Sequence, residues 1–331
     1  MHYHQLGNTG PRVAAVGFGC MALSGTYGPA DREESLRTLG AALDAGINLL
    51  DTADFYGMGH NELLVGEALK RLRRDAVVLS VKFNGQRDPA GKFIGFDSRP
   101  VSTKNFLAYS LQRLGVDYID IYRPSRLDTT VPIEDTIGAI ADMVKAGYVR
   151  HIGLSEVNAD TIRRAQAVHP ICDLQFEYSL LSRDIEDTIL PTCRELGIGI
   201  TAYGVLSRGM LGGRLRLDSP IGQRDARAYS PRFQGDNRAA NLQLVEALRS
   251  VAERLGLTVA QAAVAWVAGR GADIVPLIGT RSLTSLKEAI AALEVQLTPH
   301  DFALMETAVP KDAASGDRYP PGAGVEFRKK S

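Results

Sequence analysis

The chain has 331 residues, of which 45% are hydrophobic and 23% are charged, as in an ordinary globular protein. Its 38 Lys and Arg residues balance its 38 Asp and Glu residues, which argues against a nucleic-acid or membrane partner because either usually requires a basic bias. Three cysteines do not suit a disulfide framework, and the first residues lack the apolar core of a signal peptide. No apolar run approaches the length of a membrane span, so we expect a cytoplasmic protein.

Short apolar runs alternate with longer amphipathic stretches along the chain. A hairpin is predicted at residues 2–13, with its turn at residues 7–10. Eight further apolar runs are predicted strands, at residues 14–19, 48–52, 77–83, 118–125, 151–155, 173–178, 199–205 and 273–279. Helical patterns follow them at residues 32–45, 61–73, 103–114, 133–146, 159–168, 184–196, 238–255 with 258–268, and 282–293.

Eight βα units with nearly all-apolar strands predict an α/β fold of the (β/α)8 TIM-barrel type. A doubly wound sheet is disfavoured because the first predicted strand leads into GFGCMALSG, which lacks the GxGxxG spacing. We interpret residues 1–331 as a single domain with an N-terminal β-hairpin and an extra C-terminal helix or tail. Two polar segments fall outside the repeat: residues 207–237 are predicted to form a long loop, and residues 312–331 are either a functional tail or a frayed end.

Reactive side chains collect at the carboxyl ends of the predicted strands, where barrel enzymes carry their active sites. Asp51 closes the second strand, Tyr56 follows in its loop, and Lys82 closes the third strand. A lysine beside a tyrosine lowers the pKa of the phenol, and a carboxylate holds the lysine in place. The three residues therefore predict a proton donor for a carbonyl oxygen, with a purely structural Asp51–Lys82 pair as the alternative. No His or Cys cluster has metal-ligand spacing, so no metal site is predicted.

Several motifs along the chain together resemble those of the aldo-keto reductases. The run INLLDTADFYGMGHNELLVGEAL resembles the second βα unit of that superfamily. The first, third, fifth, sixth and eighth strands resemble it in the runs GFGCM, VLSVKF, VKAGYVRHIGLSE, LQFEYSLLSR and VPLIGTRSLTSLKEA. The resemblance covers essentially the whole chain in order, and it is greater to the bacterial and fungal branch with short loops than to the vertebrate hydroxysteroid enzymes.

The resemblance implies a carbonyl reductase with a nicotinamide cofactor, NADPH being favoured over NADH. Tyr56 would donate the proton to the carbonyl oxygen as hydride arrives, with Lys82 and Asp51 behind it. The implied partner is a small-molecule aldehyde or ketone, and the implied state is a monomer or a weak homo-oligomer. Two other functions stay open: an NADP(H)-binding barrel with little turnover, and an alcohol dehydrogenase that works in the oxidative direction.

The fourth predicted strand departs from the family pattern at Ser125, where the resemblance would place a histidine. Serine can also donate a hydrogen bond to a carbonyl, but its side chain is shorter and uncharged. A bridging water, a charge supplied by Arg123 or Arg126, or a bulkier substrate in the space of the imidazole are the alternatives at this position. A further alternative is that the fold survives while catalysis is lost.

The resemblance also implies the residues that hold the nicotinamide. Ser155 and Gln175 would bind its carboxamide, and Tyr203 would stack on its ring. Gly19, at the end of the first strand, is a further predicted cofactor contact. Glu156 stands where many relatives have asparagine, so the resemblance assigns it no clear role.

The phosphates and the adenosine are assigned to the last two βα units. The run 205–209 would wrap the pyrophosphate with backbone donors, and a helix N-terminus after the eighth strand attracts phosphate. The predicted contacts are Gly204, Leu206, Arg208, Gly209, Gly279 and Thr280. Arg281 suits a 2′-phosphate, and Glu288 suits the adenine amine. Ser285 and Ala289 replace an arginine and an asparagine of the family pattern, which weakens the case for tight NADPH binding.

Overall fold

The computed structural model describes residues 1–320. Its first two strands, β1 (Tyr3–Gln5) and β2 (Arg12–Ala14), form an antiparallel hairpin. The other strands are β3 (Gly17–Gly19), β4 (Leu49–Ala53), β5 (Val78–Phe83), β6 (Gly85–Arg87), β7 (Phe93–Phe96), β8 (Ile119–Pro124), β9 (Val149–Ser155), β10 (Ile171–Glu177), β11 (Gly199–Tyr203) and β12 (Ile274–Ile278).

All of these later strands except β6 and β7 pair in parallel and close a barrel, with β12 beside β3. Their order around the barrel is their order along the chain. The predicted (β/α)8 barrel with an N-terminal hairpin is therefore confirmed. The hairpin of β6 and β7 was not predicted; it lies at the carboxyl end of β5, directly above the barrel opening.

Amphipathic helices surround the barrel. The described residues contain α1 (Arg32–Asp44), α2 (His60–Leu69), α3 (Pro100–Leu114), α4 (Ile133–Lys145), α5 (Ala159–Val168), α6 (Ile189–Leu196), α7 (Gly235–Arg254), α8 (Val259–Ala268), α9 (Leu283–Ala291) and α10 (Pro299–Ala308). Gly115 and Gly197 end α3 and α6 with φ of 66° and 69°, a conformation that costs glycine little. Helix α10 is the extra helix after the eighth βα unit.

The amino-terminal end of the barrel is sealed by the first hairpin. Leu6 and Val13 are buried there against Leu49, Val78 and Val275, which lie in the first two positions of three barrel strands. A larger apolar cluster fills the space between the strands and the helices. The opening of the barrel is consequently at the carboxyl ends of the strands.

Most predicted boundaries differ from the structure by a few residues, and two segments differ more. The helix predicted at residues 184–196 begins only at Ile189, because Thr188 departs from helical geometry, with φ of −135° and ψ of −38°, and separates the helix from a short 3-10 turn at Asp184–Glu186. The long loop predicted at residues 207–237 contains three 3-10 turns and ends where α7 begins at Gly235.

Residues 312–320 of the predicted tail fold back onto the barrel, so the interpretation as a frayed end is wrong for them. Residues 321–331 lie outside the described residues.

No single helix in residues 1–320 is long and apolar enough to cross a membrane; α7 and α8 meet that test only as a pair, bent by 85° at their junction.

Candidate active site

A cavity of about 690 Å³ lies at the carboxyl ends of the barrel strands. Its volume is in the range of small-molecule and cofactor sites. All but two of the predicted site residues line it, namely Gly19, Asp51, Tyr56, Lys82, Ser125, Gln175, Tyr203, Gly204, Leu206, Arg208, Gly209, Gly279, Thr280 and Arg281. The exceptions are Ser155 and Glu288.

Asp51 and Lys82 form a buried ion pair on the neighbouring strands β4 and β5, each with 4% of its surface exposed. The second carboxylate oxygen of Asp51 accepts hydrogen bonds from Ser80 Oγ at 3.0 Å and from Gln175 Nε2 at 2.7 Å. Both oxygens of Asp51 are thus satisfied, as a buried charge requires. The pair therefore holds the Lys82 ammonium in one position at the base of the cavity.

Tyr56 lies over this ion pair, with the Lys82 Nζ 5.1 Å from the centre of its ring. Burial lowers the pKa of Lys82, although Asp51 opposes that shift. Burial, followed by the charge of Asp51, raises the pKa of Tyr56 well above its usual value of 10. The prediction of a lowered pKa for Tyr56 is therefore wrong for the protein by itself, because burial and the charge of Asp51 outweigh the opposing charge of Arg126.

Ser125 uses its hydroxyl within the protein. Its Oγ donates to Asn84 Oδ1 at 2.6 Å, and the Asn84 amide nitrogen donates to Ser98 Oγ and to the Arg126 carbonyl, both at 2.8 Å. Asn84 has a left-handed φ of 85°, a conformation that asparagine tolerates better than most residues. The hydroxyl proton of Ser125 thus points to Asn84 and not to the cavity, contrary to its predicted role as a donor.

The two arginines that flank Ser125 have different surroundings. Arg123 is fully buried inside the barrel and contacts Asp173 Oδ2 at 2.9 Å and Ser80 Oγ at 2.9 Å. Arg126 lines the cavity, donates to the Ser125 carbonyl at 2.6 Å, and its charge favours ionisation of Tyr56. Of these two arginines, Arg126 is therefore the one that brings a positive charge to the cavity.

The groups predicted to hold a nicotinamide lie along β9, β10 and β11. Ser155 is 1% exposed, and its hydroxyl has no hydrogen-bond partner among the described residues. Gln175 lines the cavity with its amide nitrogen committed to Asp51. Ser155 does not line the cavity, whereas Gln175 does, so only Gln175 of the two predicted carboxamide contacts faces the cavity.

The turn after β11 has an unusual backbone. Ser207, Arg208 and Gly209 have consecutive positive φ values of 46°, 56° and 93°. The amides of Ser207 and Gly209 donate to the carbonyls of Gly204 and Leu206 within the turn. These two amides are not available as pyrophosphate donors, so that part of the prediction is wrong for the conformation seen here.

Some of the predicted cofactor contacts around β12 and α9 lie at the cavity, and others lie outside it. Gly19 and Gly279 approach so closely that a Cβ on Gly279 would be 3.3 Å from the Gly19 carbonyl oxygen. Arg281 donates to the carbonyls of Tyr27 and Gly28 at 3.2 and 3.1 Å, which ties the loop after β3 to this helix. Glu288, by contrast, accepts from Thr258 and Arg214 outside the cavity, so its predicted contact with adenine has no support in this arrangement.

Sequence reasoning missed Arg318 and Tyr319, which line the cavity, and it left without a role Glu156, which is buried beside them. Glu156 is fully buried with a φ of 53°, and both its oxygens accept from Arg318, at 3.0 and 2.9 Å. Burial favours the neutral acid, but Arg318 and Arg126 outweigh it and hold the pKa of Glu156 below 4.5. A carboxylate at the end of a buried strand predicts that a cation from another part of the chain pairs with it. The sequence alone does not show that this cation is Arg318.

Among the described residues, no group of three or more His, Cys, Asp or Glu side chains could hold a metal ion.

Comparison with known proteins assigns the chain to a family. The sequence model of the Aldo/keto reductase family matches residues 15–310, so the chain belongs to the aldo/keto reductase family. This is a family of oxidoreductases that act on small-molecule carbonyl compounds and generally use nicotinamide cofactors.

Its relatives agree with that assignment. A probable aldo-keto reductase 1 from Glycine max is 42% identical over 316 residues, which cover 95% of this chain and 91% of the relative. The glycerol dehydrogenase AKR11B4 from Gluconobacter oxydans has a TM-score of 0.84 at 29% identity, with 92% of this chain and 94% of that chain covered. The aldo-keto reductase AKR11C1 from Bacillus halodurans, in its holo form, has a TM-score of 0.76 at 26% identity, with 98% and 100% covered.

Proposed function

We propose that this protein reduces an aldehyde or a ketone to an alcohol with NADPH, and that Tyr56 donates the proton. The observation that carries the proposal is the position of Tyr56 over the buried Asp51–Lys82 pair, inside a cavity large enough for a substrate beside a cofactor. The residues that would hold the cofactor are Gln175 and Tyr203 at the nicotinamide and Gly279, Thr280 and Arg281 at the phosphates, all of which line the cavity. The bound cofactor supplies the hydride.

The protonation state of Tyr56 suits a general acid. Burial raises the pKa of Tyr56 well above 10, so the phenol keeps its proton at neutral pH until a carbonyl oxygen accepts it. Lys82, 5.1 Å from the ring centre, stabilises the phenolate that remains after the transfer. Asp51 holds Lys82 in the position where this stabilisation is available.

Arg126 takes the place of the absent imidazole. Ser125 donates its proton to Asn84, whereas Arg126 presents a guanidinium to the cavity beside Tyr56. A guanidinium carries a permanent charge and several donors, so it stabilises negative charge on the carbonyl oxygen as it develops. We expect this arrangement to favour substrates whose carbonyl lies next to a second electron-rich oxygen, because Arg126 has donors to spare.

Oxidation of an alcohol is the second candidate. The relative AKR11B4, with a TM-score of 0.84, is named a glycerol dehydrogenase. The same residues serve both directions, because the phenolate of Tyr56 accepts the proton that the phenol donates in reduction. Initial rates measured in both directions at one pH separate the two candidates.

Replacement of Tyr56 by phenylalanine tests the proposed acid. We expect Tyr56→Phe to lower kcat for carbonyl reduction by about 10²–10⁴-fold, the contribution of a positioned general acid, while the Kd for NADPH stays within twofold. The measurement is steady-state NADPH oxidation over a panel of aldehydes and ketones, with the Kd from NADPH fluorescence.

The matched control is Tyr229→Phe, the same exchange at an exposed tyrosine that lines the cavity rim and donates to the Gln223 carbonyl. It should leave kcat within about threefold. Wild-type turnover in the Tyr56→Phe protein would refute the proposed acid.

A further inference from the structure

The segment at residues 312–320, here called the C-terminal strap, is held to the barrel by its own hydrogen bonds before it reaches the cavity. The Ser315 amide donates to Asn241 Oδ1 at 2.8 Å, and Asn241 Nδ2 donates back to the Ser315 carbonyl at 2.8 Å. Ser315 Oγ also donates to Asn237 Oδ1 at 2.6 Å. These contacts fix the direction in which the strap enters the cavity from α7.

Arg318 is the strongest attachment of the strap. It is 6% exposed and donates to both oxygens of Glu156, and the Glu177 carboxylate lies 3.7 Å from it. Its guanidinium also lies 5.1 Å from the centre of the Phe176 ring. A two-bonded arginine–carboxylate contact is directional as well as strong, so it fixes the orientation of both side chains.

Tyr319, the next residue, lies between the two sides of the cavity. Its hydroxyl is 2.7 Å from the Tyr203 hydroxyl, and Arg126 Nη2 donates to it at 3.2 Å. The guanidinium of Arg208 lies 4.5 Å from the centre of its ring and donates to the Arg318 carbonyl at 2.8 Å. The strap thus contacts predicted residues of both the cofactor and the substrate sides.

The donors and acceptors in this group have only one consistent assignment. Glu156 is an ionised carboxylate, so it only accepts, and the Tyr203 hydroxyl must donate to it across 2.8 Å. Since Tyr203 has spent its proton there, Tyr319 donates to Tyr203. An arginine only donates, so the chain runs Arg126 to Tyr319 to Tyr203 to Glu156, which Arg318 closes from the other side.

We propose that Arg318 and Tyr319 are positioning residues of the active site, which fix the Tyr203 ring through this directed hydrogen-bond chain and hold Arg126 beside Tyr56. The inference rests on the proposed function, because Tyr203 is the ring on which the nicotinamide would stack. Both hydroxyl contacts of Tyr203 lie in the chain, so its ring has one orientation. The strap in this way completes a site that the barrel strands alone leave open.

Two substitutions in the strap test the inference at different strengths. Tyr319→Phe removes one hydroxyl from the centre of the chain; we expect kcat to fall about two- to tenfold, the worth of about one hydrogen bond, with a larger isotope effect from 4-deuterated NADPH.

Arg318→Met leaves Glu156 without its cation, and we expect kcat to fall more than tenfold and the Kd for NADPH to rise at least fivefold. Arg318→Lys keeps the charge but loses the two-bonded contact, so it should recover only part of the loss.

The matched control is Arg183→Met. Arg183 is a mostly buried arginine that pairs with Glu186 and Glu306 at 3.0 Å and lies over the Trp266 ring, away from the cavity. It should lower the melting temperature without changing kcat, the isotope effect or the Kd for NADPH by more than twofold. Equal kinetic constants for Arg318→Met and the wild type would overturn the inference.

Amide hydrogen exchange gives a second test that needs no cofactor. Arg318→Met should speed exchange at β11 and in the turn 204–209, whereas Arg183→Met should not. If the wild-type protein neither binds nor oxidises NADPH, the proposed function fails, and exchange alone decides the role of the strap. Unchanged exchange around Tyr203 in Arg318→Met would then overturn it.

Discussion

Two buried arginine–carboxylate pairs, Arg123–Asp173 inside the barrel and Arg318–Glu156 at its mouth, are built in different ways. Arg123 and Asp173 project from β8 and β10, and Gly153 on the strand between them leaves the room: a Cβ there would be 2.6 Å from Asp173 Oδ1. Arg318 meets Glu156 across 162 positions of the chain. The first pair is therefore part of the barrel itself, whereas we expect the second to separate while the barrel stays folded.

The largest expected difference is in stability. We expect Arg123→Met to lower the free energy of unfolding by about 3–5 kcal/mol, because Asp173 is then left buried and uncompensated. Arg318→Met should lower the free energy of unfolding by clearly less, since the strap can detach and let water reach Glu156. Urea unfolding at neutral pH measures both values.

The exposed pair of Arg163 and Glu195 provides the reference for this comparison, and Arg163→Met should change the free energy of unfolding least of the three, because solvent screens this pair. Equal losses for Arg123→Met and Arg318→Met would show that the strap is as integral to the fold as the strands are.

A smaller effect is expected in the pH dependence of the strap. The pKa of Glu156 is held below 4.5, so its ion pair contributes stability that is present above the unfolded pKa of about 4.5 and is lost as the pH falls through the folded value. The gap in unfolding free energy between the wild type and Arg318→Met should therefore narrow below about pH 4.5. Urea unfolding across a series from pH 7 to about pH 3 measures it.

Ser125→Ala removes no charge, so the difference in unfolding free energy between this variant and the wild type should not change with pH over the same series. If the difference in unfolding free energy between Arg318→Met and the wild type increases as the pH falls, the assigned ionisation of Glu156 is contradicted.

The smallest expected effect concerns Ser125. Because its hydroxyl donates to Asn84 and not to the cavity, Ser125→Ala should cost about 1 kcal/mol of stability and leave kcat within about threefold. Arg126→Met, by comparison, should lower kcat substantially, since it removes the charge beside Tyr56. Steady-state kinetics with one aldehyde compares kcat in the two variants. A larger loss of kcat in Ser125→Ala than in Arg126→Met would show that the serine takes the place of the imidazole.

The sequence was sufficient for features that depend on neighbours in the barrel. Alternating apolar strands and amphipathic helices predicted the fold, and residues at consecutive strand ends, such as Asp51 and Lys82, could be expected to meet because parallel strands end on the same face. The cavity indeed contains both, together with Tyr56.

Features that depend on distant contacts or on local backbone geometry could not be predicted. The raised pKa of Tyr56 reflects its position inside the cavity, where it is partly withdrawn from water and lies near the charge of Asp51. The diversion of the Ser125 hydroxyl depends on the left-handed conformation of Asn84 just after β5. Arg318 and Tyr319 reach the cavity only because Asn237 and Asn241 on α7 direct the strap there, and no periodic pattern encodes such a contact.

The sealed end of the barrel has a practical consequence for protein engineering. The hairpin of β1 and β2 packs Leu6 and Val13 against Leu49 and Val78, so the amino terminus lies at the end of the barrel opposite the cavity. An affinity tag or fusion partner joined before Met1 is therefore remote from the reacting groups. One joined after Ser331 is attached beyond Tyr319 on the same segment, so immobilisation through the amino terminus is the arrangement that leaves access to Tyr56 unchanged.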